Sequence, residues 1–311
     1  MSVSSLSAET GLVTARTQAG VDNDRIWRWA ALGPALILMV AMAVLPLANL
    51  FLTSFYDVTW SGGRPHWTSV GLAHYPQMLT DPLLRAGALN TTLFAVGAVG
   101  GQMVLGFLLA LLVSRIDRGR VFFRAVFILP ILIPGIVIGA IWKLMLNSDF
   151  GLANQILGLV GVAGHDWLGD AHTALLTIMA VDIWHWTPFC FLLLLAGLES
   201  LPGDLFEAAR IDGASAWQEL RFVTIPLMIP TILVTFTFRL IVAFKVFDEV
   251  YLLTSGGPGT STEVVSFTLF QRFFTEDRVG YGSAISIAVI FFVSALLVLV
   301  LSAGRVGRPR Q

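Results

Sequence analysis

Four charged side chains lie within stretches of the chain that are otherwise apolar. Asp182 stands in one such stretch, and Arg239, Lys245 and Asp248 follow one another in the next. Charged groups inside a membrane are costly, so they usually face a protein interior or a water-filled cavity. We therefore expect these four residues to line a pathway through a membrane, with Asp182 and Asp248 near its outer end, where water solvates them.

Two of these charges also have a purely structural interpretation. Lys245 and Glu249 stand four residues apart, a spacing at which side chains on a helix can pair. Arg239 lies deepest in its apolar stretch, and its guanidinium can either serve the pathway or donate to backbone carbonyls where two helices meet. The sequence leaves both interpretations open.

Aromatic and polar side chains also alternate closely just after Asp182, as Trp184, His185 and Trp186. An aromatic surface beside a few directed polar groups is the usual composition of a pocket for a small molecule. Successive helical residues point about 100° apart, so only one or two of the three can face a shared path. Contact with lipid or with other helices explains them equally well, and a lone histidine does not indicate a metal site, so none is expected.

The composition requires that these residues be positioned by membrane-spanning elements. The chain of 311 residues is 56% hydrophobic and 13% charged, with a mean hydropathy of +0.80. Soluble domains carry about 25% charged residues, so the bilayer must act as part of the solvent here. A net charge of −1 argues against nucleic-acid binding, and the single cysteine, Cys190, excludes an intrachain disulfide.

Six segments are apolar enough, and close enough to 20 residues, to cross a bilayer as helices. The sequence therefore predicts an all-α integral membrane protein, with a tail at 1–28, a six-helix transmembrane domain at 29–304 and a second tail at 305–311. The predicted spans are Trp29–Phe55, Ala86–Ser114, Val121–Leu146, Ala174–Leu198, Pro226–Leu252 and Ser283–Ala303.

The distribution of basic residues predicts the orientation of these spans. Cytoplasmic loops are enriched in Lys and Arg. With the N-terminus inside, most arginines fall on the inner side, and the outer loops contain only Arg64, Arg85, Lys143, Arg272 and Arg278. An even number of spans puts both termini on that same cytoplasmic side of the plasma membrane. In one outer loop, Gly151–Leu157 can form a short interfacial helix, and Trp167 suits an aromatic belt beside it.

The predicted cytoplasmic loop between the fourth and fifth spans, residues 201–226, contains signals for two short helices. Asp204 can cap the first helix with Glu207 in the third position, and Gly213 stands where a left-handed residue would end it. Ser215 and Gln218 repeat the capping pattern for a second helix ending near Thr224, before Pro226 begins the fifth span. The result is a helix–turn–helix, which by itself can be either a solvated connector or a knob that inserts into a partner.

This loop resembles the EAA loop of permease subunits in bacterial binding-protein-dependent ABC importers. Glu207-Ala208-Ala209, then Gly213 after three residues, then Val223-Thr224-Ile225-Pro226 match its spacing, with Val and Ile where the family has Ile and Leu. Other segments are similar to the maltose-type, carbohydrate-importing branch. They are Asn90-Thr91, the Trp184–Phe189 segment, Leu253–Pro258 with Ser261–Glu263, and Gly280–Ala284.

The resemblance implies a mechanism and a set of partners. The chain would be one permease of a heterodimeric pair, translocating a sugar, sugar alcohol or related solute that an extracytoplasmic binding protein delivers. A separate ATPase dimer would bind ATP and Mg, since this chain shows no phosphate-binding Gly-x-x-x-x-Gly-Lys motif and is not itself an enzyme. The implied ATPase-coupling residues are Glu207, Ala208, Ala209, Arg210, Asp212, Gly213 and Ala214; Asn90 joins the pathway candidates named above.

An ion-coupled secondary carrier is the main alternative. Such carriers often contain internal repeats and carboxylates near the middle of the membrane. This sequence shows no convincing repeat, and its deepest charge, Arg239, is basic. Uptake that persists without a partner ATPase would favour the carrier.

Overall fold

The computed structural model describes residues 3–116 and 118–306, so most of the predicted C-terminal tail at 305–311 lies outside the described residues. The chain divides into two units, residues up to Thr53 and residues from Ser54 onwards. The first unit is a single helix, α1 (Val3–Thr53), whose part Trp29–Thr53 is long and apolar enough to span a membrane. Helix therefore begins at Val3, and the expected polar tail at 1–28 is largely helical.

The second unit begins with elements that the all-α prediction missed. An antiparallel hairpin is formed by β1 (Tyr56–Ser61) and β2 (Arg64–Ser69), with Val58 opposite Trp67. Gly62 and Gly63 have positive φ, the conformation required in a two-residue hairpin turn. Helix α2 (His74–Thr80) follows. The fold is thus mostly helical, with one small sheet where the sequence predicts an outer loop.

The remaining helices form the body of this unit. In chain order they are α3 (Pro82–Ser114), α4 (Arg120–Ile128), α5 (Gly135–Met145), α6 (Leu152–Leu159), α7 (Ala174–Glu199), α8 (Gly203–Ile211), α9 (Ala216–Gln218), α10 (Ile225–Ala243), α11 (Asp248–Leu253), α12 (Val265–Phe270) and α13 (Val279–Val306). Among the described residues, five helices are long and apolar enough to span a membrane, or up to six if the bent pair α4–α5 is one span.

Two of the predicted spans are interrupted. The third bends by 91° between Leu132 and Gly135, because Pro134 has no N–H to continue the helix and the residue before it is held extended. The helix of the fifth ends at Ala243, residues 244–247 are not helical, and the separate helix α11 contains the last residues of the predicted segment. The loop prediction also needs correction, because a π-helical turn, Glu219–Thr224, joins α9 to α10 without an end at Thr224.

Helices α3 and α7 pack against each other along much of their length. Three glycines of α3 face α7, and a Cβ built on them would meet Met179 Sδ at 2.9 Å from Gly97, Ile183 Cδ1 at 2.6 Å from Gly101 and Cys190 Cβ at 2.7 Å from Gly106. Gly97 and Gly101 form the small-xxx-small spacing that lets membrane helices approach closely. We call these three glycines and their contacts on α7 the glycine seam.

Candidate functional site

A buried polar cluster joins three helices at the centre of the bundle. Arg239 of α10 and Gln102 of α3 are fully buried, and Asp182 of α7 is 3% exposed. Arg239 Nη2 lies 3.1 Å from Asp182 Oδ2, and Arg239 Nε donates to Gln102 Oε1 at 2.7 Å. Gln102 Nε2 completes the triangle by donating to Asp182 Oδ2 at 2.7 Å. Each buried charge is therefore both paired and hydrogen-bonded, which offsets part of its desolvation cost.

The prediction that Asp182 is solvated at an outer helix end is therefore wrong. The face of α7 that carries Asp182 packs against α3 and α10, and those helices supply its two partners. The sequence indicates that Arg239 is deep but cannot show which residues from distant segments meet it. Gln102, an uncharged residue, gave no signal of its own in the sequence.

The rest of the Arg239 guanidinium contacts Trp186 and keeps one donor without a partner. The indole ring of Trp186 covers the guanidinium, with its centroid 4.3 Å from Arg239 Cζ, a cation–π contact. Arg239 Nη1 is buried and has no hydrogen-bond partner among the described residues. An unpaired buried donor is costly, so an acceptor from a bound molecule or water would stabilise it.

His185 connects the bend between α4 and α5 to helix α11. Its Nε2 lies 3.2 Å from the carbonyl oxygen of Ile133, next to Pro134 at the bend. Its Nδ1 lies 3.5 Å from Glu249 Oε1, close enough for an ion pair but without hydrogen-bond geometry. Glu249 therefore lies beside His185, whereas the sequence suggested Lys245 as its partner.

A cavity of about 200 Å³ opens beside this cluster. All but two of the predicted pathway residues line it. The lining is formed by Gly135, Asp182, His185, Trp186, Arg239, Val242, Ala243, Lys245, Val246, Phe247, Asp248 and Glu249. The charges are mixed, and Asp182 already pairs with Arg239, so the cavity has no excess of positive charge. It offers two aromatic side chains, Trp186 and Phe247, and several hydrogen-bonding groups.

Two predicted pathway residues lie elsewhere. Asn90 donates from Nδ2 to the carbonyl oxygens of Thr260 and Glu263, both at 2.9 Å, and so ties α3 to the loop before α12. Trp184 is 42% exposed and packs edge-on against Trp142, with ring centroids 5.5 Å apart. Neither lines the cavity.

A second polar cluster holds the loops outside the spans. Asp81 caps α3 and accepts hydrogen bonds from Arg272 at 3.1 Å and from the Tyr281 hydroxyl at 3.0 Å. Burial alone would raise the pKa of Asp81, but the hydrogen bonds from Tyr281 and Arg272 outweigh it and lower the pKa below 3.8. In the neighbouring loop, burial raises the pKa of Glu263 above 4.5, although the Thr268 hydroxyl donates to it.

The loop between α7 and α10 forms a sharply turned helical knob. Gly213 has φ of +79° directly after α8, and Ala214 N donates to Ala209 O at 2.9 Å while Gly213 N donates to Arg210 O at 3.1 Å. This is the hydrogen-bond pattern of a Schellman motif, so the predicted helix end is confirmed. Ser215 and Gln218 also form the predicted capping box.

Other details of this loop differ from the sequence analysis. Helix α8 begins at Gly203, and Asp204 lies in its first turn without capping it. Arg210 pairs with Glu219 of the π-helical turn, with Nε 3.6 Å from Oε2. Of the predicted coupling residues, Glu207, Ala208, Arg210, Asp212 and Gly213 are exposed, while Ala209 and Ala214 are half-buried.

Two apolar side chains on the same knob were not among the predicted coupling residues. Ile211 is 86% exposed and Trp217 is 65% exposed. Large apolar groups displayed this way are typical of a surface that a partner protein covers. Their position around the Gly213 turn is the signal that sequence analysis could have used.

The class of protein follows from comparison with known families. Residues 102–310 match the profile of the binding-protein-dependent transport system inner membrane component family. The chain belongs to that family, and it is a permease subunit of a binding-protein-dependent ABC importer. The resemblance inferred from the EAA loop is thus confirmed.

Relatives agree over nearly the full chain. The chain is 37% identical over 276 residues to the trehalose/maltose transport system permease protein MalF of Thermococcus litoralis, covering 88% of this chain and 92% of the relative. It is 32% identical over 296 residues to the sulfoquinovosyl glycerol transport system permease protein SmoG of Agrobacterium fabrum, covering 91% and 95%.

A solved structure shares the fold. A chain in the crystal structure of a bacterial ABC transporter involved in the import of the acidic polysaccharide alginate superposes with a TM-score of 0.81 at 21% sequence identity. The match covers 94% of this chain and 100% of the other. At this identity the likeness concerns the fold alone.

Proposed function

We propose that this chain forms one half of the translocation pathway for a small uncharged carbohydrate or sugar alcohol. The observation that carries the proposal is the cavity beside Arg239, where the free Nη1 donor lies next to the face of Trp186. Sugars have apolar CH faces edged by hydroxyl groups, so an aromatic surface beside directed donors and acceptors matches them. Relatives named as permeases for trehalose and maltose or for multiple sugars support this class.

The balance of charge favours an uncharged solute over an acidic one. Arg239 is already neutralised by Asp182, and Lys245 faces the same cavity as Asp248 and Glu249. An acidic sugar would meet more carboxylates than free cations there and would be repelled. A polyol needs only hydrogen bonds, which the cavity supplies.

In this proposal, the free energy for transport comes from ATP that a partner ATPase subunit binds. The knob formed by α8 and the Gly213 turn displays Glu207, Asp212 and Ile211 to solvent, and it would seat in a cleft of an ATPase subunit that binds ATP and Mg. Closure of the ATPase dimer would then displace α10, because α9 and the π-helical turn join the knob to α10 directly.

The proposed topology places the knob and both termini in the cytoplasm, with residues 1–28 and 305–311 as tails of a transmembrane domain at 29–304. The hairpin and the loop around Glu263 then face the extracytoplasmic binding protein. A companion permease, encoded separately, would provide the other half of the pathway. Reporter fusions at the termini and at the 147–173 loop test this orientation: a reporter active only in the cytoplasm should work at the termini and fail in the loop.

Uptake into proteoliposomes tests the proposed function. The chain is co-purified with its companion permease and ATPase, and uptake is measured with binding protein, labelled disaccharides or sugar alcohols, and acidic sugars as the comparison. We expect ATP-dependent uptake of an uncharged solute that an ionophore does not abolish. Uptake without ATP that collapses with the ion gradient would instead indicate a secondary carrier.

Two tryptophans of α7 provide a matched test of the site. Trp186→Ala removes the ring that lines the cavity, and we expect it to reduce transport strongly. Trp184→Ala removes an equal side chain two residues away that does not line the cavity, and transport should persist. Equal losses in the two variants would contradict the assignment of the cavity.

A further inference from the structure

Helix α6 carries a row of exposed apolar side chains, an apolar stripe, that has no role in the transport mechanism proposed above. Leu152, Ile156 and Leu159 recur at helical spacing, and Val160 continues the stripe at the end of the helix; each of the four is between 50% and 86% exposed. Asn154 and Leu157, on the other side of the helix, are half-buried, and Ala153 at the edge of the stripe packs against the core. The stripe is therefore a continuous outward face.

The segment is held in place by a polar knot, so this exposure is a fixed feature of the fold. Asn154 Oδ1 accepts hydrogen bonds from His165 N at 3.1 Å and Trp167 Nε1 at 2.9 Å, while its Nδ2 donates to His165 O at 2.9 Å. Because the indole N–H of Trp167 donates to Asn154, it is not available to a lipid headgroup, as it would be in the aromatic belt that the sequence suggested. Residues 150–164 contain no charged side chain.

We propose that α6 lies in the membrane–water interface with its apolar stripe inserted among the lipids. The stripe continues a lipid-facing surface, because α5 of the bent membrane pair also exposes apolar side chains, including Ile141 and Leu144, and packs against α6. An interfacial helix buries its apolar face about 5–10 Å into the headgroup and acyl boundary. Lipid fits better than a soluble protein, because residues 150–164 around the stripe contain no charged side chain that a protein partner could pair with.

This placement goes beyond the transport function and gives α6 a mechanical role. The stripe would fix the α5 end of the bent pair at a constant depth, while Gly135 and Gly139 of α5 pack against Asp248 and Leu252 of α11 beside the cavity. The partner is thus a lipid surface, and its role does not depend on which solute is carried.

Spin-label accessibility in lipid nanodiscs tests the proposal on the full chain with the subunits that co-purify with it. The only cysteine, Cys190, is buried and is replaced by alanine, and labels are placed at Leu159→Cys and, as a second position on the stripe, Ile156→Cys. Leu144→Cys on α5 is the lipid control, and the exposed His172→Cys in the same loop is the aqueous control.

Collisions with oxygen report lipid, and collisions with a water-soluble nickel chelate report solvent. We expect both stripe positions to resemble Leu144, with oxygen accessibility severalfold above that of nickel, and His172 to show the reverse. Stripe labels as open to nickel as His172 would overturn the proposal. So would labels shielded from both reagents, or labels that become shielded only when binding protein is added, because each result would mean that protein covers the stripe.

Discussion

Replacing Arg239 by methionine separates the structural cost of the buried cluster from its role in transport. The substitution removes the hydrogen bonds to Asp182 and Gln102 and the cation–π contact with Trp186, and leaves a carboxylate buried beside one amide. Breaking a buried charge pair by removing one partner costs about 3–5 kcal/mol. Each ~1.4 kcal/mol is tenfold in an equilibrium constant, so the ratio of folded to unfolded protein should fall by roughly two to three and a half powers of ten.

A second substitution should restore stability without restoring transport. In Arg239→Met with Asp182→Asn, both buried charges are gone, and replacing a whole buried pair is often neutral or stabilising. Arg239→Lys is the conservative control, because it keeps the charge but lacks the planar fork that reaches Asp182 and Gln102 together. We expect the double variant to unfold near the wild-type midpoint and still to lack uptake, since the free Nη1 donor is missing.

The measurement pairs unfolding with uptake on the same preparations. Thermal or denaturant unfolding of the purified subunit complex gives the stability of each variant, and proteoliposomes give its transport rate. A single variant as stable as wild type would show that the charge pair does not carry the stabilisation described. Normal uptake by the double variant would show that Arg239 has no part in solute passage.

Three further predictions concern the seam, the knob and the loops. Gly106→Ala places a Cβ 2.7 Å from Cys190 Cβ and 2.9 Å from a backbone nitrogen, so it should lower the free energy of unfolding by about 1–3 kcal/mol. The control, Gly100→Ala, adds a Cβ with nothing within 4 Å and should leave the free energy of unfolding unchanged. Gly213→Asp should abolish uptake while the chain still inserts at normal levels, measured by membrane fractionation; normal uptake would remove the coupling role. Because the pKa of Asp81 is lowered in the folded state, its contacts stabilise the protein fully above pH 3.8 and lose this effect as the pH falls further. Asp81→Asn should therefore lower the unfolding midpoint at neutral pH, and its midpoint should converge with that of wild type in acid. A difference between the two midpoints that does not depend on pH would contradict this.

Much of the membrane architecture was predictable, because a long apolar run has few stable alternatives in a bilayer. The helix end at Gly213 and the capping box at Ser215 were also predictable, since both depend on residues next to each other in sequence. The interruptions were harder. Pro134 indicates a kink, but the 91° angle depends on packing, and Pro226 gave no indication that a π-helical turn precedes α10.

The candidate site, too, was predictable only where it depends on the type of a residue and not on contacts between distant segments. The sequence could indicate four pathway residues, because charged and aromatic side chains are conspicuous in apolar segments. These are Asp182, His185, Trp186 and Arg239. Gln102 was missed, and Glu249 was assigned only to a pair with Lys245, because the contacts of both join residues that are far apart in sequence. The β1–β2 hairpin was missed because its two aromatic-containing strands are short and lie in a stretch that otherwise reads as a polar loop.

The glycine seam determines where this transporter can change shape. Sliding α3 along α7 would drive the backbone of one helix into side chains of the other, so the two helices should translate and rotate together throughout the transport cycle. They provide an internal reference frame: a distance measured between α3 and α7 should be the same in every state, and displacements of α10 or of the bend at Pro134 can be measured against it. A structural record of the cycle can therefore be aligned on this pair.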